Sequence, residues 1–504
     1  MKYKIISVVL VIAMLLGCLV VQNIKPDKNR YHQHIEAAEK KTCTDHGEEI
    51  FCTHLPLLNI VTDDVMPSPY VLNESGDYVY DASGDRVKND EVVGATIQYF
   101  DSSTENNHLV DVATIEERAT IRIRGTSSRD YDKNGYLIEF KEENLIDNKK
   151  VSLSGMTADS EWVLHGPFLD KTLIRNYLCY NLAGEMMDYA PNVRFCEAFL
   201  NGEYMGVYLI VEKIEYNANG RINIEKADPD MEQTAYIIEI DRKNEVTTQS
   251  IETFSRYSYT NYNTHANAGY MKIVYPGIGL TEAQKQYIID DISKFEKALY
   301  SFDYNDKDKG YEAYIDVDSF VDYFLINEFT LNYDAMELSK YFYKNIGGKI
   351  TMCVWDFNSA FDYYEYTVVS PETFMMQSSL WYNYLFKDEA FVERVVSRYF
   401  QLRESVFSEE YLCKYIDDTV AYLGPAIERN YEKWGYSFLS EYNGKNYDYL
   451  VPESRNVRSY DEAISQLKNC IHTRISHMDA NMERLYTLSH DSLNKRYNYD
   501  KEAN

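Results

Sequence analysis

The sequence predicts an α+β fold in two parts, a strand-rich first half and a mainly helical second half. Three observations carry that expectation. In "ATIRIRG" at 119–125, Ile121 and Ile123 alternate with Arg122 and Arg124, the period of a half-buried strand. Two apolar runs flank Asn201-Gly202, a strong hairpin signal. From about residue 280 onward the apolar positions recur every three or four residues, as on one face of a helix.

The elements follow in order. "LPLLNIVTD" at 55–63 has the apolar density of a strand. After "ATIRIRG" the small residues Gly125, Thr126, Ser127 and Ser128 predict a turn, and "GYLIEFK" resumes a strand. "FLDKTLIRNYLCYNLAGEMM" predicts a helix, with Leu173, Ile174, Tyr177, Leu178 and Leu182 on its apolar face and Asp170 placed to cap its start. "VRFCEAFLNGEYMGVYLIVEKI" is the Asn-Gly hairpin. In the second half, Thr281 and Gln284 form a capping pattern ahead of "QKQYIIDDISKFEKALYSF", and "DVDSFVDYFLINEFTLN" is a second helix. "KYFYKN", "IGG" and "KITMCVW" predict another hairpin, and "RSYDEAISQLKNCIHTRISHMDANMERL" a closing helix. The expected boundaries are a leader at 1–22, a polar tether at 23–54, one domain at 55–485 divided near 242 and 243, and a polar tail at 486–504. No internal repeat is visible.

Composition excludes some partners. The 504 residues hold 51 Lys and Arg against 80 Asp and Glu, a net charge of −29, which repels nucleic acid. A basic protein partner suits such a surface better. The 45% hydrophobic content is enough for a large core.

Lys2 and Lys4 precede an uncharged run of 17 residues, Ile5 to Val21, with the n-region and h-region of a secretion signal. "LLGC" ends at Cys18 and resembles a bacterial lipobox. Lipidation at Cys18, an uncleaved anchor and ordinary cleavage all remain open, and attachment to the outer face of a bacterial membrane is the expectation. Cys43 and Cys52 stand nine residues apart. Outside the cell a local disulfide is the expected reading. Zinc held with the help of His46 or His54 is the lesser alternative, because the spacing matches no common zinc module. Cys179, Cys196, Cys353, Cys413 and Cys470 are expected as buried thiols.

Two acids bracket the second hairpin. Asp334 precedes it and Asp356 follows it, 356 − 334 = 22 residues apart. A strand-rich half with one inserted helix, then a helical half carrying Asp–hairpin–Asp, is the layout of a protein-kinase-like fold. Phosphoryl transfer needs one carboxylate at the nucleophile and another on a metal bound to the phosphates. Magnesium takes hard oxygen ligands and keeps several waters, so one or two carboxylates suffice. Taken alone, two acids at this spacing are weak evidence in so acidic a chain.

"RIRGTSSRDYDKNGYLIEF", "FLDKTLIRNYLCYNLAGEM", "FLNGEYMGVYLIVEKI" and "NYDAMELSKYFYKNIGGKITMCVWDFNSAFD", in this order, resemble the CotH family of spore-coat-type atypical kinases. The resemblance runs from about "THLPLLNIVTD" to the closing helix. It implies a two-lobed atypical protein-kinase-like fold that uses ATP and Mg²⁺ and transfers phosphate to Ser or Thr of an exported or cell-surface protein. It gives Asp334 the catalytic acid/base role and Asp356 the metal, with Asn358 as a further ligand. Arg124, Ser127 and Lys133 become candidates for the nucleotide phosphates, and Glu212 falls where a hinge would run. Each has a plainer reading: Arg122 and Arg124 as an exposed strand face, Lys133 in an ion pair with Asp130 or Asp132, Asp170 and Arg175 as a structural pair. No G-x-G-x-x-G loop is present. Members often carry Gly-Pro where this chain has Met352-Cys353, and Gly where it has Asp362. The last departure points to the alternative, a catalytically degenerate surface scaffold or coat protein on the same fold.

Overall fold

The computed structural model describes residues 30–37, 41–43, 50–82, 84–241, 247–257, 270–277 and 279–490. The leader, Cys18 and His46 lie outside them. Among the described residues no helix is long and apolar enough to cross a membrane.

Period-two sequences build the first half. Strands β1 (Leu57–Thr62), β2 (Val93–Phe100), β3 (Ile115–Arg124), β4 (Gly135–Phe140), β5 (Glu161–His165), β6 (Val193–Leu200) and β7 (Glu203–Glu212) pair in the order β1-β2-β3-β4-β5-β7-β6. A parallel pairing of β1 with β6, Leu57 opposite Glu197, closes the sheet into a barrel and removes its edges. The expected alternation on β3 is realised. Ile121 and Ile123 are buried in the barrel core with Ile97, Ile138, Trp162 and Ile210, while Arg122 and Arg124 face outward. Asn201-Gly202 turns β6 into β7 with both residues at positive φ, 51° and 81°, the backbone that such a two-residue turn requires.

Between β5 and β6 runs α1 (Arg175–Met186). The pattern predicts an amphipathic helix, but α1 is buried on nearly every side. Its polar residues are hydrogen-bonded internally instead of facing water, the condition under which burial is tolerable. One face meets β6 of the barrel and another meets α3 (Val317–Phe329), which with α2 (Glu282–Leu299), α4 (Glu389–Arg403), α5 (Glu409–Leu423), α6 (Pro425–Trp434), α7 (Tyr460–Asn481) and the second sheet makes up the helix-rich half. The predicted capping box is present at α2, where Thr281 Oγ1 accepts from Gln284 N.

A second sheet packs into the same core as the helices. Its strands β8 (Tyr236–Asp241), β9 (Ser250–Ile251), β10 (Tyr270–Tyr275), β11 (Lys340–Lys344) and β12 (Thr351–Cys353) run in the order β12-β11-β8-β10-β9. The predicted hairpin is β11–β12. Its neighbour β8 ends at Asp241, just before the expected division near 242, so this sheet draws on both sides of that boundary. The strands β2, β5 and β8 to β10 went unpredicted.

The expected tether is partly packed. Arg30 is buried, and its guanidinium donates to Asn181 Oδ1 (2.9 Å), Ala190 O (3.0 Å) and Pro191 O (2.6 Å). Gly184 on α1 leaves room for it; an added Cβ would lie 2.6 Å from Arg30 Nη1. At the other end, residues 486–490 do not form a free tail, because Tyr304 Oη donates to His490 O at 2.8 Å.

The helices are tied to the segment after β12 by one fully buried ion pair. Arg474 on α7 pairs with Glu328 on α3, and the same carboxylate accepts from Met375 N (3.1 Å) and Met376 N (2.6 Å). Removing one partner leaves a buried charge uncompensated. Arg474→Met is therefore expected to lower unfolding free energy by about 3–5 kcal/mol, read from urea denaturation. A change below about 1 kcal/mol, the range of an exposed pair, would contradict this assignment.

Candidate functional site

A cleft opens where the barrel meets the second sheet. Arg124, Ser127, Asp334, Asp356 and Asn358 all line it, joined by Glu239 and Asp241 of β8 and by His165. A smaller hollow adjoins it and shares Ser127, Asp334, Asp356 and Asn358.

Each element delivers its residue for a local reason. Arg124 ends β3, opposite Gly135 in the register of the β3–β4 hairpin. The predicted turn begins at Gly125, with φ of 99°. A Cβ there would lie 1.9 Å from Ser128 Oγ, so a side chain would have to displace that hydroxyl and also adopt a backbone that favours glycine. Buried Arg129 pins the turn, donating to Gly125 O (2.7 Å), Asn89 O (2.7 Å), Pro69 O (3.0 Å) and Ile123 O (3.0 Å).

Asp334 sits on a single 3₁₀ turn, Tyr333–Met336, after α3. Ser359 Oγ donates to its Oδ2 at 3.2 Å, linking it to the segment that follows Asp356. Asp356 follows β12 with φ of 53°, a left-handed conformation uncommon outside glycine. Three hydrogen bonds hold this backbone. Asp356 N donates to Tyr180 Oη (3.1 Å), Phe357 N donates to Asn176 Oδ1 (2.9 Å), and Asn332 Nδ2 donates to Asp356 O (2.9 Å). Asn176 Nδ2 also donates to Asn358 Oδ1 and lies 3.2 Å from His165 Nε2.

Two predicted residues stand elsewhere. Lys133 is buried and does not line the cleft. Its Nζ donates to Val207 O (2.6 Å) and Asn430 Oδ1 (2.8 Å), joining the barrel to α6. Burial pushes its ammonium well below the usual lysine range. The ion-pair reading does not hold either, since Asp130 bonds Tyr70 and Arg86, and Asp132 bonds Lys445, Tyr436 and Tyr447. Glu212, at the end of β7, accepts from Arg221 (2.7 Å) and Asn192 N (2.8 Å) outside the cleft. Asp170 and Arg175 do form a buried pair. Arg175 also donates to Ala360 O (3.0 Å) and lies 3.8 Å over the Tyr363 ring, so it anchors the segment after Asp356 to α1.

Asp362 does not line the cleft. Its Oδ1 accepts from Val369 N (2.8 Å) and Arg455 Nη2 (3.0 Å). Its φ of 56° is a backbone that favours glycine, and aspartate is among the residues that tolerate it.

Glu239 and Asp241 were missed. The signal was available: "YIIEID" puts two acids two residues apart on a strand, hence on one face. His165, Asn176 and Tyr180 had no comparable signal, because chain topology alone brings them to Asp356.

The cleft thus carries four carboxylates, and among the described residues lining it Arg124 is the one lysine or arginine. His165 adds no charge, since burial, reinforced by Arg124, holds its imidazole down to about 3. A polyphosphate could enter such a cleft only with divalent cations to offset the acids. The donor set is all hard oxygen and suits magnesium better than a softer metal.

A family model described as CotH kinase protein matches residues 121–478. A comparison with curated proteins finds no match.

The depressed His165 has a consequence for stability. The unfolded chain protonates this imidazole below about pH 6.5, the folded chain only near 3. Its contribution is therefore complete above pH 6.5 and is lost as pH falls through 3. In urea denaturation between about pH 7.5 and about pH 4, wild type should lose more stability on acidification than His165→Gln. Parallel profiles would show that the imidazole is protonated in the folded protein.

Proposed function

The chain belongs to the CotH kinase protein family, and on that premise we propose that it is an atypical kinase that transfers the ATP γ-phosphate to Ser or Thr of an exported or cell-surface protein. The fold in this reading is a two-lobed kinase-like one whose first lobe is a closed barrel. The observation that carries the reading is the convergence of Arg124, Ser127, Asp334, Asp356 and Asn358 on one cleft, with Asp356 in a left-handed backbone fixed from α1.

The roles follow from chemistry. Asp356 and Asn358 present hard oxygens and would hold Mg²⁺, which when bound neutralises phosphate charge. Arg124 supplies a fixed positive charge to a phosphate oxygen, and the Gly125–Ser128 turn lets the backbone approach closely. Val163, Val211 and Leu338 offer an apolar wall for the base. Asp334 orients the acceptor hydroxyl and takes its proton. Ser359 keeps that carboxylate aimed along the same segment. Asp362 pairs with Arg455 away from the cleft, which supports the kinase reading over the alternative of a degenerate scaffold as far as this departure goes. A net charge of −29 favours a basic, Ser-rich acceptor. Membrane attachment through the N-terminus and action at the outer face of a bacterial cell complete the proposal.

The two acids make separable predictions. Asp356→Asn should abolish metal-dependent nucleotide binding and phosphate transfer together. Asp334→Asn should bind nucleotide within about threefold of wild type and lose roughly 10²–10⁴ in turnover. Calorimetric titration of ATP with and without Mg²⁺, beside transfer of labelled phosphate to a basic Ser-rich protein, measures both. Wild-type transfer rates in both variants would refute the assignment.

A further inference from the structure

A second cluster of ligand-bearing side chains lies away from the cleft, on the barrel's outer side. It joins the segment before β1 to the long connection between β2 and β3. Cys43 and Cys52, expected as a disulfide, place their sulfurs 3.5 Å apart, against about 2.05 Å for an S–S bond. His108, on the β2–β3 connection and 65 residues from Cys43, places Nε2 3.2 Å from Cys43 Sγ. The two sulfurs and a ligating nitrogen all lie within 4.8 Å of one another. Neither cysteine spacing nor any zinc motif anticipates His108.

We propose that Cys43, Cys52 and His108 bind a zinc ion that staples the N-terminal segment to the barrel. Tetrahedral zinc with Zn–S near 2.3 Å and Zn–N near 2.05 Å separates its ligands by about 3.8 Å (S to S) and about 3.6 Å (S to N). The observed 3.5 and 3.2 Å are close to these values. The imidazole is already arranged as a ligand. His108 is buried, and its Nδ1 lies 3.0 Å from Asp111 Oδ2, a carboxylate that in this proposal accepts an Nδ1 proton and leaves Nε2, beside the sulfurs, to the metal. The same carboxylate accepts from His108 N at 2.9 Å, which locks the ring's direction. Asn106 Nδ2 lies 3.1 Å from Cys52 Sγ and would stabilise a thiolate there.

The backbone around the cluster is braced on both strands of the junction. Asn106 N donates to Thr42 O (3.0 Å), and Thr53 and Asn107 exchange backbone hydrogen bonds (3.1 and 2.7 Å). Asn107 Nδ2 donates to Leu55 O at 2.8 Å, just before β1. Two thiols and one neutral imidazole form a borderline-soft donor set, which selects zinc over magnesium or calcium. On binding, each thiol releases one proton to solvent, Nε2 donates its lone pair, and the Nδ1 proton stays on the ring against Asp111. A fourth coordination position remains for water or another donor. The site concerns folding of the N-terminal segment and is independent of the kinase reading.

The test uses the full chain, purified under reducing conditions without chelator and dialysed against zinc. Elemental analysis should find about one zinc per chain, and cobalt substitution should give sulfur-to-cobalt charge-transfer absorption. Cys52→Ser and His108→Gln should each lose the ion. Asp111→Asn should retain it with affinity weakened about 10–100-fold, and this variant keeps every ligand should the others fail to fold. In the wild type, a chelator should lower Tm and expose Cys43 and Cys52 to a thiol reagent while leaving nucleotide binding in the cleft unchanged. Zinc-free wild-type protein, zinc unaffected by Cys52→Ser and His108→Gln, or a linked Cys43–Cys52 peptide without metal would overturn the proposal.

Discussion

The architecture of the cleft depends on the grip of one buried helix on one short stretch of backbone. Three residues of α1 hold the chain from Asp356 to Tyr363. Asn176 and Tyr180 accept the amide hydrogens of Phe357 and Asp356, and Arg175 donates to Ala360 O and stacks on Tyr363. All three side chains belong to a helix that is buried on nearly every side. A buried donor or acceptor deprived of its partner costs about 1–3 kcal/mol, so each of these contacts opposes displacement of the segment. The same helix faces the barrel, and Asn176 reaches His165 on β5. The position of Asp356 is thereby referred to the barrel that carries Arg124, although 232 residues separate the two acidic and basic groups in sequence (356 − 124).

Electrostatics explains why that rigidity matters. Four carboxylates around one guanidinium repel a bare polyphosphate. Metal ions would reverse this balance, most readily where oxygens able to ligate them are already held in place, since a preorganised site does not reorganise on binding. The neutral His165 fits the same economy of charge. A protonated imidazole beside Arg124 would compete with a metal ion for the acids, and burial keeps it neutral over the physiological range.

Much of this was legible from residues alone, and the part that was not has a physical cause. Local chemistry announced the Asn201-Gly202 turn, the capping box at Thr281 and the β11–β12 hairpin between the two aspartates, because each is fixed by neighbours in sequence. Closure of the barrel was not legible, since it rests on a parallel pairing between β1 and β6, more than 130 residues apart. Lys133 misled for a related reason. Its short-range surroundings, two acids and a small-residue turn, suggested a surface cation, but topology puts it beneath β7 with Asn430 of α6 as its partner. Asp362 misled in the opposite sense: its charge suggested interference with phosphate, and only the tertiary fold supplies Arg455.

Backbone strain gives an independent reading of the same region. Asp356, Phe361 and Asp362 all take positive φ, at 53°, 57° and 56°. Non-glycine residues held in such conformations cost about 1–3 kcal/mol each and persist only where the surroundings over-determine them. Here the surroundings can be named. Tyr180 and Asn332 fix Asp356, Thr330 O accepts from Phe361 N at 2.5 Å, and Arg455 with Val369 fixes Asp362. A segment needed only to connect β12 to the next helical turn could relax by accepting ordinary conformations. Three unfavourable conformations are retained within seven residues (356 to 362), each held by its own tie, so the packing around α1 fixes the backbone from which the Asp356 side chain departs.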